Sequence, residues 1–159
     1  MVISSGWKRK LAGHRFPGLK LDAAIFVNAS ALHAPAAVFA TAEERALPNI
    51  AGVGGSMSVH YTVDVAPRAA LTLDCAIRYV GQSQLGIGIP FEIPQGDYLT
   101  SKLGMRLALA KIGISLDIAN IGDVRANRFA YGNPFGAAAG NQITPVRPRT
   151  IRFGIDAHF

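Results

Sequence analysis

Residues 99–119 of the chain read LTSKLGMRLALAKIGISLDIA and hold two runs in which apolar and polar residues alternate. A period of two is typical of β-strands, because successive side chains point to opposite faces of a sheet. Only a short reversal at Lys111 separates the runs, so we expect a hairpin of two antiparallel strands. The charged residues Lys102, Arg106 and Asp117 all fall on one face of this hairpin, and the opposite face carries no charge.

The same alternation recurs along the rest of the chain. It predicts six strands, at 19–30, 52–64, 71–80, 99–109, 112–119 and 150–159. A seventh strand at 2–11 alternates less regularly. In the six regular strands, every charged residue falls on one face: Lys20, Asp22, Asp64, Asp74, Arg78, Lys102, Arg106, Asp117, Arg152 and Asp156. The face without charge therefore requires a dry environment.

The composition indicates which dry environment this is. The chain has 159 residues, 50% of them hydrophobic and 16% charged, with a mean hydropathy of +0.25. A typical soluble domain has about 25% charged residues. No segment approaches the roughly 20 consecutive apolar residues of a membrane helix. An apolar chain without such helices is typical of a transmembrane β-barrel, whose strands alternate.

A soluble β-sandwich would have an equally apolar inner face, and it is the main structural alternative. Three features favour the membrane barrel. Five of the six predicted strands are 10–13 residues long, whereas strands of globular sheets usually have 5–6. Their charged face is rich in Ala, Gly and Ser and contains no Glu. The connections alternate between short turns and long loops, as they do in outer-membrane barrels.

Motifs in the C-terminal half carry a family resemblance. An Asn-Ile-Gly-Asp motif ends the strand at 112–119, a long loop with an Ala-Tyr-Gly follows, and a Pro-x-x-Pro-Arg-Thr sequence enters the last strand, which ends in Phe159. This order resembles the C-terminal strands of TonB-dependent outer-membrane receptors. The residues that carry the motifs are Asn120, Asp123, Tyr131, Pro148 and Arg149.

Upstream segments extend the resemblance over nearly the whole chain. Leu-Pro-Asn-Ile at 47–50 precedes a strand, and Tyr-Val-Gly at 79–81 closes the next one. Gly-Trp-Lys at 6–8 and Pro-Gly-Leu-Lys-Leu at 17–21 are also similar to sequences of these receptors. Each motif alone has low specificity, but the ordered set is fairly specific to the family.

The resemblance implies an all-β fold: about seven antiparallel transmembrane strands, the C-terminal segment of a barrel of about 22. Residues 1–159 would form this segment, and the plug domain and the N-terminal strands are absent. An odd number of strands leaves two edges, which lipid does not tolerate. Near Met1, Trp-Lys-Arg-Lys at 7–10 interrupts any signal peptide. We therefore expect a receptor fragment.

The expected function is TonB-dependent uptake of siderophores or similar bulky solutes across the outer membrane of a Gram-negative bacterium, with the segment inactive alone. The expected partners are outer-membrane lipid, the barrel-assembly machinery, and the remaining strands and plug of the receptor. TonB would act only through the missing N-terminal part. The alternative is a small autonomous β-barrel or β-sandwich with a structural or binding role.

Two groups of residues are candidates for specific roles. Arg152, Gly154 and Phe159 resemble the C-terminal assembly signal of outer-membrane proteins, an amphipathic edge strand open to β-augmentation. Phe159 would alternatively be only an aromatic-girdle residue. In the loop at 122–146, Arg125, Arg128 and Tyr131 suit an anionic, aromatic solute, although a solvated loop has the same composition.

Several other functions lack support. Cys75 is the single cysteine, and the four histidines lie far apart, so we predict no disulfide, no metal site and no cofactor. Basic residues form no extended cluster, which argues against nucleic-acid binding despite a net charge of +6. Ser58, His60 and Asp74 share a face, but no nucleophile motif accompanies them. We therefore predict that the protein is not an enzyme.

Overall fold

The computed structural model describes residues 2–13, 17–32, 47–86, 94–130 and 143–157. These residues form strands β1 (Val2–Gly13), β2 (Leu19–Leu32), β3 (Val53–Ala66), β4 (Ala69–Val80), β5 (Ser83–Gln84), β6 (Pro94–Gln95), β7 (Tyr98–Leu109), β8 (Ile112–Ala119), β9 (Asn127–Ala130), β10 (Ile143–Pro145) and β11 (Thr150–Ala157). None of the described segments forms a helix long and apolar enough to span a membrane.

Seven of the strands form one antiparallel sheet in the order β1-β2-β3-β4-β7-β8-β11. Each strand therefore pairs with the next long strand in the sequence, as in a meander. The all-β prediction of about seven antiparallel strands is confirmed, including the irregular first strand. The predicted last strand extends to Phe159, but His158 and Phe159 lie outside the described residues.

The register places the charge-bearing positions of neighbouring strands directly opposite one another. One row across six strands consists of Lys20, His60, Asp74, Gly104, Asp117 and Arg152. The adjacent row consists of Leu19, Tyr61, Leu73, Met105, Leu116 and Phe153. Because opposite residues share a face, the sheet has one polar face and one apolar face.

The apolar face is uncovered by any described part of the chain. Ile151, Phe153 and Ile155 on β11 are 65–69% exposed, and Val146 is the one described hydrophobic residue that is buried. The two smaller sheets, β5/β6 and β9/β10, have only two strands each. The accessible surface is 11248 Å², whereas a compact monomer of this mass exposes roughly 7,700 Å². Within the described ranges, the sheet therefore has no hydrophobic core of its own.

Ion pairs and hydrogen bonds connect the strands across the polar face. His60 Nδ1 on β3 lies 2.6 Å from Asp74 Oδ1 on β4. Arg106 on β7 donates to Asp156 on β11 at 2.6 Å and so reaches across β8. Gly113 on β8 makes this possible, because a Cβ there would collide with both side chains. The polar face thus pairs part of its own charge.

Strand β1 is an exception to the separation of charge. Arg9 lies opposite Ile25, so it belongs to the apolar face, next to the exposed Trp7. The Arg9 guanidinium is 5.3 Å from the centroid of the Trp7 ring, a distance suited to a cation–π contact. The uniform separation of charge found in the six regular strands does not extend to β1, which explains its irregular alternation.

The two ends of the sheet differ. Short turns join β3 to β4 and β7 to β8, and these turns are joined by a hydrogen bond from Ala110 N to Arg68 O of 2.8 Å. Long connections join β2 to β3, β4 to β7 and β8 to β11 at the other end, here called the loop end. The sequence predicts long loops there, and the two-stranded ladders β5/β6 and β9/β10 lie within two of them.

A charge introduced on the apolar face tests whether that face contacts lipid. Leu103 is 44% exposed near the middle of β7, opposite Cys75 and Ile118. We expect Leu103→Lys to destabilise the membrane-embedded polypeptide by about 2–4 kcal/mol, because a lipid-facing Lys near the midplane is desolvated. The measurement is the urea midpoint of the polypeptide carrying this segment, refolded in lipid vesicles.

Ser58→Lys is the matched control. Ser58 lies on the polar face opposite Asp22, so the added ammonium has a carboxylate partner. We expect the midpoint to change little in this variant. Equal destabilisation by the two substitutions would contradict the assignment of the faces.

Candidate functional site

Hydrogen bonds between backbone groups join the three long connections at the loop end. Asn49 N, from the β2–β3 connection, donates to Gln84 O at 2.7 Å. Gly96 N, from the β4–β7 connection, donates to Asn127 O in the β8–β11 connection at 2.9 Å. The described loop segments therefore form one connected layer above the sheet, and we call it the loop layer.

A buried side-chain amide holds part of the loop layer together. Gln95 is 4% exposed, and its Nε2 donates to Asn49 Oδ1 at 2.6 Å and to Gln84 O at 3.5 Å. Asn49 has a φ of 60°, a left-handed conformation that Asn adopts more readily than most residues. The Asn of the Leu-Pro-Asn-Ile motif therefore has a structural role in the loop layer.

Asn120 closes the base of the longest connection. It is 5% exposed and has a φ of 53°. Its Nδ2 donates to Val124 O at 3.0 Å and to Arg147 O at 2.9 Å, and its Oδ1 accepts from Val124 N at 3.0 Å. One amide thus binds both the start and the end of the connection.

Asp123 makes a second closure beside the first. Its carboxylate accepts a hydrogen bond from Arg149 N at 3.0 Å, and its own N donates to Asn120 O at 2.9 Å. The bond from Arg149 N holds the pKa of Asp123 below its usual value, with a smaller contribution from the charge of Arg125. Pro148 O accepts from the Thr150 hydroxyl at 3.0 Å. Four of the five motif residues, Asn120, Asp123, Pro148 and Arg149, therefore lie in one corner at the loop end.

The sequence predicted these residues as an ordered set of family motifs, but it did not predict their contacts or their structural role. Asn120 and Asp123 lie 26–27 residues from the backbone groups they bind. No local pattern reveals a bond over that separation. Once the pairing of β8 with β11 is known, two sequence features indicate the closure. One is an Asn and an Asp separated by two residues after β8, and the other is a Pro-Arg pair directly before β11.

The predicted solute contacts are only partly described. Arg125 and Arg128 are both exposed. The Arg125 side chain is 89% exposed, and its guanidinium nitrogen lies 3.8 Å from Asp123 Oδ2. Tyr131 lies outside the described residues. The two arginines therefore lie in the loop layer within reach of solvent, and their contact with a solute stays a prediction.

The predicted assembly residues lie on β11. Arg152 occupies the polar face opposite Asp117, and Gly154 is opposite Ser115. A Cβ at Gly154 would come within 2.7 Å of Ser115 Oγ, so this glycine permits close packing of β8 and β11. Phe159 lies outside the described residues. The role of these three residues in assembly stays a prediction.

The polar face assembles two of the three residues considered for nucleophilic catalysis. His60 and Asp74 are in contact, but it is Thr62 Oγ1, not Ser58, that lies 3.3 Å from His60 Nε2. Within the described ranges, no group of three or more His, Cys, Asp or Glu residues is arranged to hold a metal ion. The geometry of the polar face is that of cross-strand pairing.

Replacement of Asn120 tests the closure. We expect Asn120→Asp to loosen the base of the connection by about 1–3 kcal/mol, because two buried donors to carbonyl oxygens are lost. Hydrogen exchange at the amides of Val124 and Arg149 is the measurement, and both should exchange faster.

Asn120→Gly serves as the control for backbone strain, because glycine tolerates a φ of 53° but has no side chain to bind the loop. It should accelerate hydrogen exchange at both amides at least as much as Asn120→Asp does. Unchanged exchange in both variants would show that the amide does not hold the connection.

Comparisons with known proteins add one clear finding. No protein-family model matches the chain, and no curated protein matches it. Among solved structures, the fold is similar to that of the ferric yersiniabactin uptake receptor FyuA from Yersinia pestis, with a TM-score of 0.81 at 19% sequence identity. The match covers 99% of this chain and 24% of the receptor chain, so this chain spans about a quarter of the receptor's length. The barrel-like fold of a TonB-dependent receptor, predicted from the sequence, is confirmed.

Proposed function

We propose that the chain is the C-terminal segment of the barrel wall of a TonB-dependent outer-membrane receptor for siderophores or similar bulky solutes. The observation that carries this proposal is the seven-stranded antiparallel sheet with an uncovered apolar face. The fold of this chain, over 99% of its length, matches 24% of the chain of an uptake receptor. In this proposal, residues 1–159 act only with the remaining strands and the plug, and the segment is inactive alone.

The two faces of the sheet have separate tasks in such a barrel. The apolar face contacts the lipid of the outer membrane of a Gram-negative bacterium. The polar face, with its ion pairs between Arg106 and Asp156 and between His60 and Asp74, lines the interior and meets the plug. TonB acts through the N-terminal part of the receptor, and the role of this segment is transport rather than catalysis.

The directions of the edge strands indicate what kind of partner completes the wall. In an antiparallel sheet of seven strands, the first and last strands, β1 and β11, run in the same direction. A barrel with antiparallel pairs throughout therefore requires an odd number of further strands. A second copy inserted in the same orientation would place β1 next to β11 in parallel. The complement is thus a different segment of sequence, as the receptor reading requires.

The alternative, a small autonomous barrel or sandwich, is less consistent with the sheet. A sandwich requires a second sheet over the apolar face, and the described residues offer only two-stranded ladders in the loop layer. A barrel closed by this chain alone would pair β1 with β11 in parallel, and these strands are not paired in the described sheet.

The size of the native polypeptide separates these functions. An antibody to residues 150–159, applied to purified outer membranes, detects whatever polypeptide carries this C-terminal strand. We expect a band several times larger than 16.8 kDa, because the wall requires many further strands. A band near 16.8 kDa in the outer membrane would support the autonomous barrel and contradict the receptor proposal.

Arg125 and Arg128 are the proposed contacts for an anionic solute, together with Tyr131. Both arginines are exposed in the loop layer, where an arriving solute first meets the protein. We expect the double substitution Arg125→Ala and Arg128→Ala to weaken solute uptake roughly tenfold, since two charge-assisted contacts are lost. Uptake assays on whole cells measure this effect.

Arg68→Ala is the control for the loss of positive charge, because Arg68 is exposed in the turn at the opposite end of the sheet. It should leave uptake unchanged. Normal uptake in the double variant would remove the proposed solute contacts.

Arg152, Gly154 and Phe159 are the proposed signal for the barrel-assembly machinery. β11 supports this role because it is an edge of the described sheet and amphipathic, with Arg152 on the polar face and Phe153 68% exposed on the other. Deletion of Phe159 should lower the outer-membrane level of the receptor several-fold, whereas Phe159→Trp should preserve it. Immunoblots of outer membranes measure both, and an unchanged level after the deletion would contradict the role.

A further inference from the structure

Three arginines surround the corner formed by Asn120 and Asp123. Arg125 lies 3.8 Å from Asp123, Arg149 donates its backbone N–H to Asp123, and Arg147 provides the carbonyl that Asn120 binds. All three side chains are exposed. We call these residues the arginine corner.

The positive charge of the arginine corner is not balanced within it. Asp123 is its one carboxylate, against three guanidinium groups. Among the described residues, no carboxylate lies within ion-pair distance of the Arg147 or Arg149 side chain. The side chains of the corner therefore have a net charge of +2. Asn120 and Asp123 hold the backbone at Arg147 and Arg149 in place through hydrogen bonds.

The arginine corner lies where the apolar face ends. β8 ends at Ala119 and β11 begins at Thr150, and these two residues lie opposite each other. Arg149 comes directly before Thr150. Their eight paired residues extend roughly 26 Å at about 3.3 Å each, which at a typical tilt crosses most of a membrane's apolar layer. If the apolar face lies in a membrane, the corner is next to the ends of β8 and β11 at the loop-side boundary of the apolar layer.

Apolar residues continue up to the corner. Ile151 is 65% exposed on the apolar face, and Ile121, between Asn120 and Asp123, is 39% exposed. Arg149 is exposed and comes two residues before Ile151, directly before the first residue of β11. A group of cations next to exposed isoleucines is complementary to an anionic headgroup and its acyl chains.

We infer that the arginine corner binds the phosphate of a lipid in the membrane leaflet on the loop side, with the acyl chains of that lipid against Ile151 and Ile121. Arg147 and Arg149 bind the phosphate through charge-assisted hydrogen bonds. The role of Asn120 and Asp123 is then to present both arginines at the membrane boundary. This inference rests on the proposed function, because it requires the apolar face to contact lipid.

The test uses the native polypeptide that carries this segment, purified from outer membranes in detergent. Native mass spectrometry counts the molecules of phosphatidylglycerol that it retains, with inorganic phosphate as a competitor. The variant is Arg147→Gln with Arg149→Gln. The control is Arg68→Gln with Lys111→Gln, which removes two exposed cations at the turn end. Heat-modifiable migration in gels checks that each variant is folded.

We expect the Arg147/Arg149 variant to retain phosphatidylglycerol at least fivefold less than the wild type, and the control to retain it normally. Inorganic phosphate at millimolar concentration should not displace the lipid, because it makes no contact with Ile121 or Ile151. Normal retention in the Arg147/Arg149 variant would overturn the inference. Displacement by millimolar phosphate would also overturn it, since the corner would then be a site for free anions.

Failure of the proposed function would have a different signature. In that case the polypeptide would be missing from the outer-membrane fraction, and both proposals would fall. Failure of the lipid inference alone leaves an outer-membrane polypeptide whose retention of phosphatidylglycerol does not depend on Arg147 and Arg149.

Discussion

Residues directly opposite one another in an antiparallel sheet share a face, and this constraint connects the other features of the chain. In the six regular strands the register aligns positions of the polar face with one another and positions of the apolar face with one another. A slip of β4 by one residue would bring Asp74 onto the apolar face, and a slip of β7 would bring Arg106 there. The sheet therefore has a strongly specified register even though it has no core of its own.

The uncovered face and the two open edges together define what the wall lacks. An apolar face of this extent is stable only against lipid or another apolar surface. Among the described strands, β1 and β11 are the edges of the sheet, and each has a row of backbone groups without a strand partner. At the loop end, by contrast, Asn49, Gln95, Asn120 and Asp123 satisfy one another and the nearby backbone. The described sheet thus has two open edges, and hydrogen bonds connect the described loop segments at its loop end.

Much of this architecture was predictable because a strand's period is local. The strands, their faces and the hairpin from β7 to β8 follow from residues two apart in the sequence. The features that were missed all depend on distant residues. Arg9 joins the apolar face through its pairing with Ile25, Arg106 reaches Asp156 across Gly113, and Asn120 binds a carbonyl 27 residues away. The motif residues were found, but their closure of the loop was not.

The central claim is that alternate residues of β7 face lipid, and fluorescence quenching tests it most directly. Single cysteines at positions 102, 103, 105, 106 and 107, in a Cys75→Ser background, carry a fluorophore in vesicles that contain brominated lipids. We expect strong quenching at 103, 105 and 107 and weak quenching at 102 and 106. Uniform quenching along β7, or none at 103, 105 and 107, would contradict a wall with one face in the membrane.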